Sequence, residues 1–193
     1  SAMPCALLLH VGARIASARA RIIRDLRPRF AHWLGELGGG GDGSLVWEPS
    51  PSVLVEADPD AFHRQLADRL TDTRQRDIQA TQTLSGPHRD DVWIGDGEQD
   101  LRKTGSQGEQ RTAVLALLLA CRDLLRERAA TPILLLDDVL SELDPRRRRR
   151  LLDALAGGGQ SWITSADPDA ADLAAGSSSA QYLRVESGHV EAA

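Results

Sequence analysis

The stretch "TPILLLDDVLSELDP", Thr131 to Pro145, decides the fold. Four apolar residues, Ile133 to Leu136, run straight into Asp137 and Asp138. So short an apolar run predicts a strand over 132–137, buried on both faces of a largely parallel sheet. Side chains at the carboxyl end of such a strand stand where open α/β sheets bind ligands. Successive strand residues alternate in direction, so the two aspartates are expected to face opposite sides. One can then hold Mg²⁺ through water, because Mg²⁺ favours oxygen ligands and keeps several of its waters. The other faces an attacking water. A pair that merely caps a loop would have the same sequence. Beyond it, Asp144 and Pro145 form an N-cap and first-turn pair that opens a helix over 145–156. Gly157-Gly158-Gly159 stops that helix.

Upstream, "GSQGEQR" carries the second signal. Ser106 followed by Glu109 is a capping box for a helix over about 107–127 that bears Val114, Leu117, Leu118 and Cys121. Gly108 leaves backbone amides uncovered in its first turn. A helix start with open N–H groups and a serine hydroxyl suits an anion, although an ordinary capped helix has the same pattern. Downstream, strands are expected over 160–164 and near 181–185, the last as an antiparallel edge. Apolar strands alternating with helices imply an α/β sheet.

The first hundred residues mix helix and a small sheet. Leu8, Val11, Ile15, Ile22, Leu26, Phe30, Trp33 and Leu37 mark a helix over 6–37, which Pro28 should kink or divide. "GGGGDG" (Gly38 to Gly43) reads as a turn. "SLVWEPS" reads as a strand. Asp58 and Pro59 open a second helix over about 59–79, with a thin apolar face (Phe62, Leu66, Leu70, Ile78) suited to a solvated helix or a projecting arm. "TQTLS" and "DVWIGDGEQDLRK" read as strands joined by tight turns.

The totals exclude several classes. A chain of 193 residues, 41% hydrophobic, is long enough for one domain or two lobes. Its net charge of −5 gives no global field to recruit nucleic acid, so any DNA contact must be local. The excess of arginine over lysine reads as a compositional bias. Cys5 and Cys121 have no zinc or CxxC spacing. No run approaches the roughly 18 apolar residues of a membrane span. These features predict a soluble protein of a reducing cytoplasm, with no membrane partner and with Ser1-Ala2-Met3 as a tag remnant.

The only lysine is Lys103. "GEQDLRKT" nearly matches a phosphate loop, but Arg102 stands where the loop needs glycine to close its amides round phosphate. Lys103 therefore reads as a basic strand end.

Together, "SGPHRDD", "GSQGEQR", "ILLLDD" and "SELD" resemble the RecF family of bacterial DNA replication and repair proteins, within the ABC-type ATPases. The likeness covers essentially residues 5–193. It implies the carboxyl-terminal part of an α/β ABC-type ATPase head, with a mostly parallel sheet and helices, plus a mainly helical signature lobe. Residues 4–128 would be arm and signature lobe with a small sheet, and 129–193 the core part with Walker B and D-loop. The phosphate-loop half would lie upstream, leaving this chain inactive alone. It implies ATP and Mg²⁺ as cofactors. Ser106, Gln107 and Gly108 would touch the γ-phosphate of nucleotide held by a partner subunit, although Gln107 stands where many ABC proteins have glycine. Asp137 would assist Mg²⁺. Asp138 replaces the usual catalytic glutamate with a shorter carboxylate, which implies slow hydrolysis. Ser141, Glu142, Leu143 and Asp144 would form the D-loop. Thr164 and Ser165 stand where ABC heads often have a switch histidine.

As partners, the resemblance implies DNA at gaps, an ATP-dependent homodimer, and RecR and RecO. Two other readings remain: an ATP-independent DNA- or partner-binding module, and a head fragment of another SMC- or Rad50-like ATPase. The latter would carry a long heptad coiled coil, and no such run is present. "GPHRDD" suits a local ion network, a nucleotide contact or a brace for the signature helix. "RRRRR" (Arg146 to Arg150) spreads round its helix and reads as a solvated, salt-bridged face before it reads as a DNA contact.

Overall fold

A computed structural model describes residues 3–38, 40–50, 59–141, 143–166 and 180–192. Asp58 and Glu142 fall outside these residues, as do the proposed N-cap and D-loop roles assigned to them.

One long helix, α1 (Met3–Glu36), forms the spine. Leu26, Phe30, Leu34 and Leu37 recur at helical spacing and are buried along one stripe. Of the kink or division expected at Pro28, division does not occur, and the helix runs through the proline. The ring lies on the exposed side, while Leu26 and Phe30 on either side of it are anchored in the core. That burial offsets the lost hydrogen bond.

The three-stranded antiparallel sheet consists of β1 (Gly43–Glu48), β2 (Asp91–Asp96) and β3 (Gln99–Asp100), with Leu45 opposite Ile94. It packs on α1, and Arg27 donates from Nε to the Leu45 carbonyl at 3.0 Å. Between β1 and β2 comes α2 (Pro59–Ala80). Its Phe62 and Leu66 are fully buried against Ala13 and Ala16 of α1. Gly12 permits this approach, because a Cβ there would lie 3.2 Å from Leu66 Cδ2. The distal residue Ile78 is exposed, so α2 is packed at its base and solvated towards its end.

"TQTLS" is not a strand. Asp77 accepts from the Leu84 amide at 3.2 Å through its side chain and from the Gln82 amide at 3.2 Å through its carbonyl. His88 Nε2 bonds the Thr83 carbonyl at 2.9 Å. Side chains and the helix end thus take up backbone groups that a ladder would have used. "GPHRDD" is a short 3-10 turn (Pro87–Arg89) followed by Asp90, whose carboxylate accepts from Arg19 at 2.5 Å and from the Ser50 amide at 2.9 Å. Of the roles weighed for that motif, the local network is the one seen.

Leu101 to Lys103 are also not strand. Asp100 caps a four-residue helix, α3 (Leu101–Thr104), by accepting from the amides of Arg102 and Lys103. Lys103 pairs with Asp100 at 3.0 Å.

Helix α4 (Gln107–Glu127) lies along α1. Trp33 Nε1 donates to Asp123 at 2.7 Å, and the Arg122 guanidinium stacks over the Trp33 ring. A parallel pair follows, β4 (Leu134–Leu136) and β5 (Ser161–Ile163), joined by α5 (Pro145–Ala156). Residues 183–192 form an exposed hairpin, β6 (Leu183–Glu186) and β7 (His189–Ala192), rather than an edge of the parallel sheet. Ser187 and Gly188 both take positive φ, as a tight hairpin turn requires.

The expectation that β4 is buried on both faces is overturned. Leu136 faces the core, but Leu135 is 75% exposed and Ile133 55%. The β4–β5 sheet has two strands among the described residues, and nothing among them covers its second face. No helix among the described residues is long and apolar enough to cross a membrane.

Candidate functional site

Three segments that lie far apart in sequence meet at the carboxyl end of β4. The first is the start of α4. Ser106 takes extended backbone angles as N-cap, and its Oγ accepts from the Glu109 amide at 3.3 Å. The Glu109 carboxylate reaches back to the Ser106 amide at 2.7 Å, completing the capping box. This bond from the Ser106 backbone holds the Glu109 carboxyl below its ordinary range, with the Ser106 hydroxyl and the charge of Arg147 adding to the effect. Gln110 donates to the carbonyls of Arg102 (3.3 Å) and Gly105 (3.2 Å), latching the chain that enters the helix. Ser106 and Gln107 are exposed, and Gly108 is half-buried.

The second segment is the end of β4. The strand stops at Leu136, so Asp137 and Asp138 do not alternate as strand residues. Instead Asp138 adopts φ +47°, a left-handed conformation that aspartate tolerates better than most side chains. Ser141 Oγ donates to the Asp138 carbonyl at 2.9 Å, which folds the chain after β4 back on this corner. Both aspartates are exposed.

The third segment is the end of β5. Thr164 Oγ1 donates to Asp137 Oδ1 and accepts from the Asp138 amide at 3.1 Å. The Thr164 carbonyl also accepts from the Asp138 amide at 3.1 Å, and its amide donates to Leu136. One threonine therefore fixes both aspartates. Ser165 follows it and is exposed.

Ahead of α5, Leu143 is buried and Asp144 is the N-cap, accepting from the amides of Arg146 and Arg147 at 3.0 Å each. These bonds, that from Arg147 foremost, hold the Asp144 carboxyl below its usual range. The arginine run is not simply a solvated face. Arg147 donates to the Gly38 carbonyl at 3.4 Å, Arg150 to that of Glu36 at 3.1 Å, and Arg148 to that of Leu143 at 2.8 Å. Arg147 and Arg150 so place two cations on the carboxyl terminus of α1, where the helix dipole favours them. At the far end of α5, buried Arg122 donates to the Ala154 carbonyl at 2.9 Å. The abundant arginine, read from composition as mere bias, thus holds helix ends.

An open groove of about 540 Å³ connects the first and second segments. Gln107, Gln110, Arg111 and Val114 line it from α4, Leu135 from β4 and Asp137 from just beyond it. Sequence reasoning named Gln107 and Asp137 but missed Gln110 and Arg111. The signal was present, since 107, 110, 111, 114 and 118 fall on one helix face. On that face Val114 is 58% exposed and Leu118 41%. The core side of α4 is Ala113, Ala116, Leu119 and Ala120.

Among the described residues, no three His, Cys, Asp or Glu side chains cluster to form a resident metal site. Asp137, with one oxygen bonded by Thr164, fits a different case: Mg²⁺ arriving with phosphate and bound by one or two carboxylates.

No family model matches the chain. The DNA replication and repair protein RecF of Crocosphaera subtropica is 36% identical over 185 residues, 95% of this chain and 48% of that protein. Among solved structures, that of the recombination mediator protein RecF-ATPrS in the RecFOR pathway matches with a TM-score of 0.75 and 29% identity, over 96% of this chain and 48% of its own. The SMC head bound to the C-winged helix domain of ScpA matches with a TM-score of 0.51 at 15% identity, over 90% of this chain and 43% of its own, a likeness of fold. The chain is thus RecF-type over nearly its whole length, and it spans about half the length of the curated relatives it matches.

Proposed function

We propose that this chain supplies the signature, Walker B and D-loop half of a RecF-type DNA-repair ATPase. In this reading, residues 4–128 form arm and signature lobe, and 129–193 belong to the core lobe. Ser106, Gln107 and Gly108 meet the γ-phosphate of ATP held by a second subunit. Asp137 holds Mg²⁺ through water, and Asp138 orients the attacking water. Ser141 and Asp144 belong to the D-loop at the dimer interface, and Thr164 and Ser165 sense the state of the site. The intact protein then dimerises with ATP on DNA at gaps and cooperates with RecR and RecO in the cytoplasm. Bound Mg²⁺ neutralises charge on the transferring phosphate.

The observation that carries the reading is the corner built on Thr164. One hydroxyl bonds both the Asp137 carboxylate and the Asp138 amide, beside a groove that reaches Gln107. The uncovered face of β4 and β5 supports the reading too, as the place where the rest of a head would pack.

Mixing this chain with the remaining half of a RecF-type protein tests the proposal. Neither piece is expected to hydrolyse ATP. The mixture is expected to dimerise with ATP, and Asp137→Asn is expected to abolish turnover. Mg-dependent ATPase activity of this chain alone, lost on Lys103→Ala, would overturn the proposal. ATP-indifferent DNA binding by the chain alone would favour the module reading.

A further inference from the structure

One side chain touches the N-cap of α5, the end of α1 and the first turn of α4. Arg147 lies in the first turn of α5, where its guanidinium is half-buried. Nε faces the Asp144 carboxylate of the D-loop at 3.5 Å. Nη2 donates to the Gly38 carbonyl, just beyond α1, at 3.4 Å. Nη1 packs over Gly108, so that a Cβ on that glycine would lie 3.3 Å from it. Each contact is long and, taken singly, weak. Their value is geometric, because a planar fork fixed on two elements places its third arm on the third. Arg150 strengthens the anchor by donating to the Glu36 carbonyl. Gly38 takes φ +96°, which turns the end of α1 towards these two arginines.

We propose that Arg147 is a positioning residue that sets the D-loop against the signature segment. It rests on the proposed ATPase reading for its functional consequence, though not for its geometry. A Cβ at Gly108 would press on the guanidinium, which would have to give by a few tenths of an ångström. Movement of Asp144 on dimer contact would reach Gly108 and the end of α1 through the same group.

The complete RecF-type protein gives the first test. Arg147→Ala is expected to weaken ATP-driven dimerisation by roughly tenfold, as misplacement of aligned groups does. Nucleotide affinity of the monomer should stay unchanged, and Arg147→Lys should recover part of the loss. Unchanged dimerisation overturns the inference. So does a parallel loss of nucleotide affinity that lysine does not relieve, because that is general damage.

If the wild-type protein does not dimerise with ATP, the ATPase reading fails and the second measurement decides this inference. In the present chain, Arg147→Ala should accelerate amide exchange at Glu109, Gln110 and Arg148 together, while Ala116 to Ala120 stay protected. Exchange unaltered at Glu109 and Gln110 overturns it.

Discussion

The α1–α4 layer and the β4–β5 pair are built from the same residue types and end in opposite states. In the layer, Phe30, Leu34 and Leu119 are buried to within 1% of fully. In the pair, Leu136 is buried, but Leu135, Ile133 and Trp162 present more than half their surface to solvent. An apolar face of that kind marks an interaction site more often than chance. The layer closes on itself because α1 is long enough to receive β1, α2 and α4 along its length. The pair has a helix on one side and nothing described on the other. The start of α4 thus stands on a finished core, and the two aspartates stand on a sheet that the described residues leave open on one face.

The contrast is broken most directly by truncation. Phe30→Ala should cost about 3–5 kcal/mol, the range for a large aromatic removed from a packed core. Leu135→Ala should stay within about 0.5 kcal/mol of the parent, as for an exposed side chain. Urea denaturation of the two variants measures both. A cost at Leu135 comparable to that at Phe30 would mean that the face is covered in solution, and the comparison would fall.

The same contrast separates what could be read from sequence from what could not. Helix α5 was read to the residue, because Asp144, Pro145 and the glycine triplet act within a turn of themselves. Helix α4 was read equally well, from the Ser106–Glu109 box. Ser106 and Asp144 could be read as caps for the same reason. The burial of β4 could not, because it depends on what packs over the strand. Nor could the role of the arginine run, whose carbonyl partners at Glu36 and Gly38 lie over a hundred residues away. "TQTLS" looked like strand by propensity, and Asp77 and His88 took its backbone groups instead.

The caps sharpen the comparison at smaller scale. Asp144→Ala removes the acceptor for two amides at the head of α5, and Ser106→Ala removes one at the head of α4. Each should cost about 1 kcal/mol. Asp144→Ala should also disturb the segment that leads into α5, since the Arg148 amide bonds the Asp144 carbonyl beside it. In amide exchange, loss of protection after Asp144→Ala should spread towards Ser141. After Ser106→Ala it should stop within the first turn of α4, which rests on the finished core.

The smallest effect is the dependence of that first turn on pH. The folded Glu109 carboxyl sits below its ordinary value because its charged form accepts the Ser106 amide. The unfolded chain therefore takes up this proton at higher pH than the folded one. The stabilisation is fully present above the ordinary glutamate value and is lost as pH falls through the lowered folded value. Glu109→Gln keeps an acceptor without the charge. Its deficit against the parent should be largest near neutrality and should shrink to nothing in strong acid. Denaturation midpoints of the two proteins, followed from neutral pH downwards, should converge. Curves that stay parallel would show that the charge of Glu109 adds nothing, and that the start of α4 is held by its core contacts and the Ser106 hydroxyl alone.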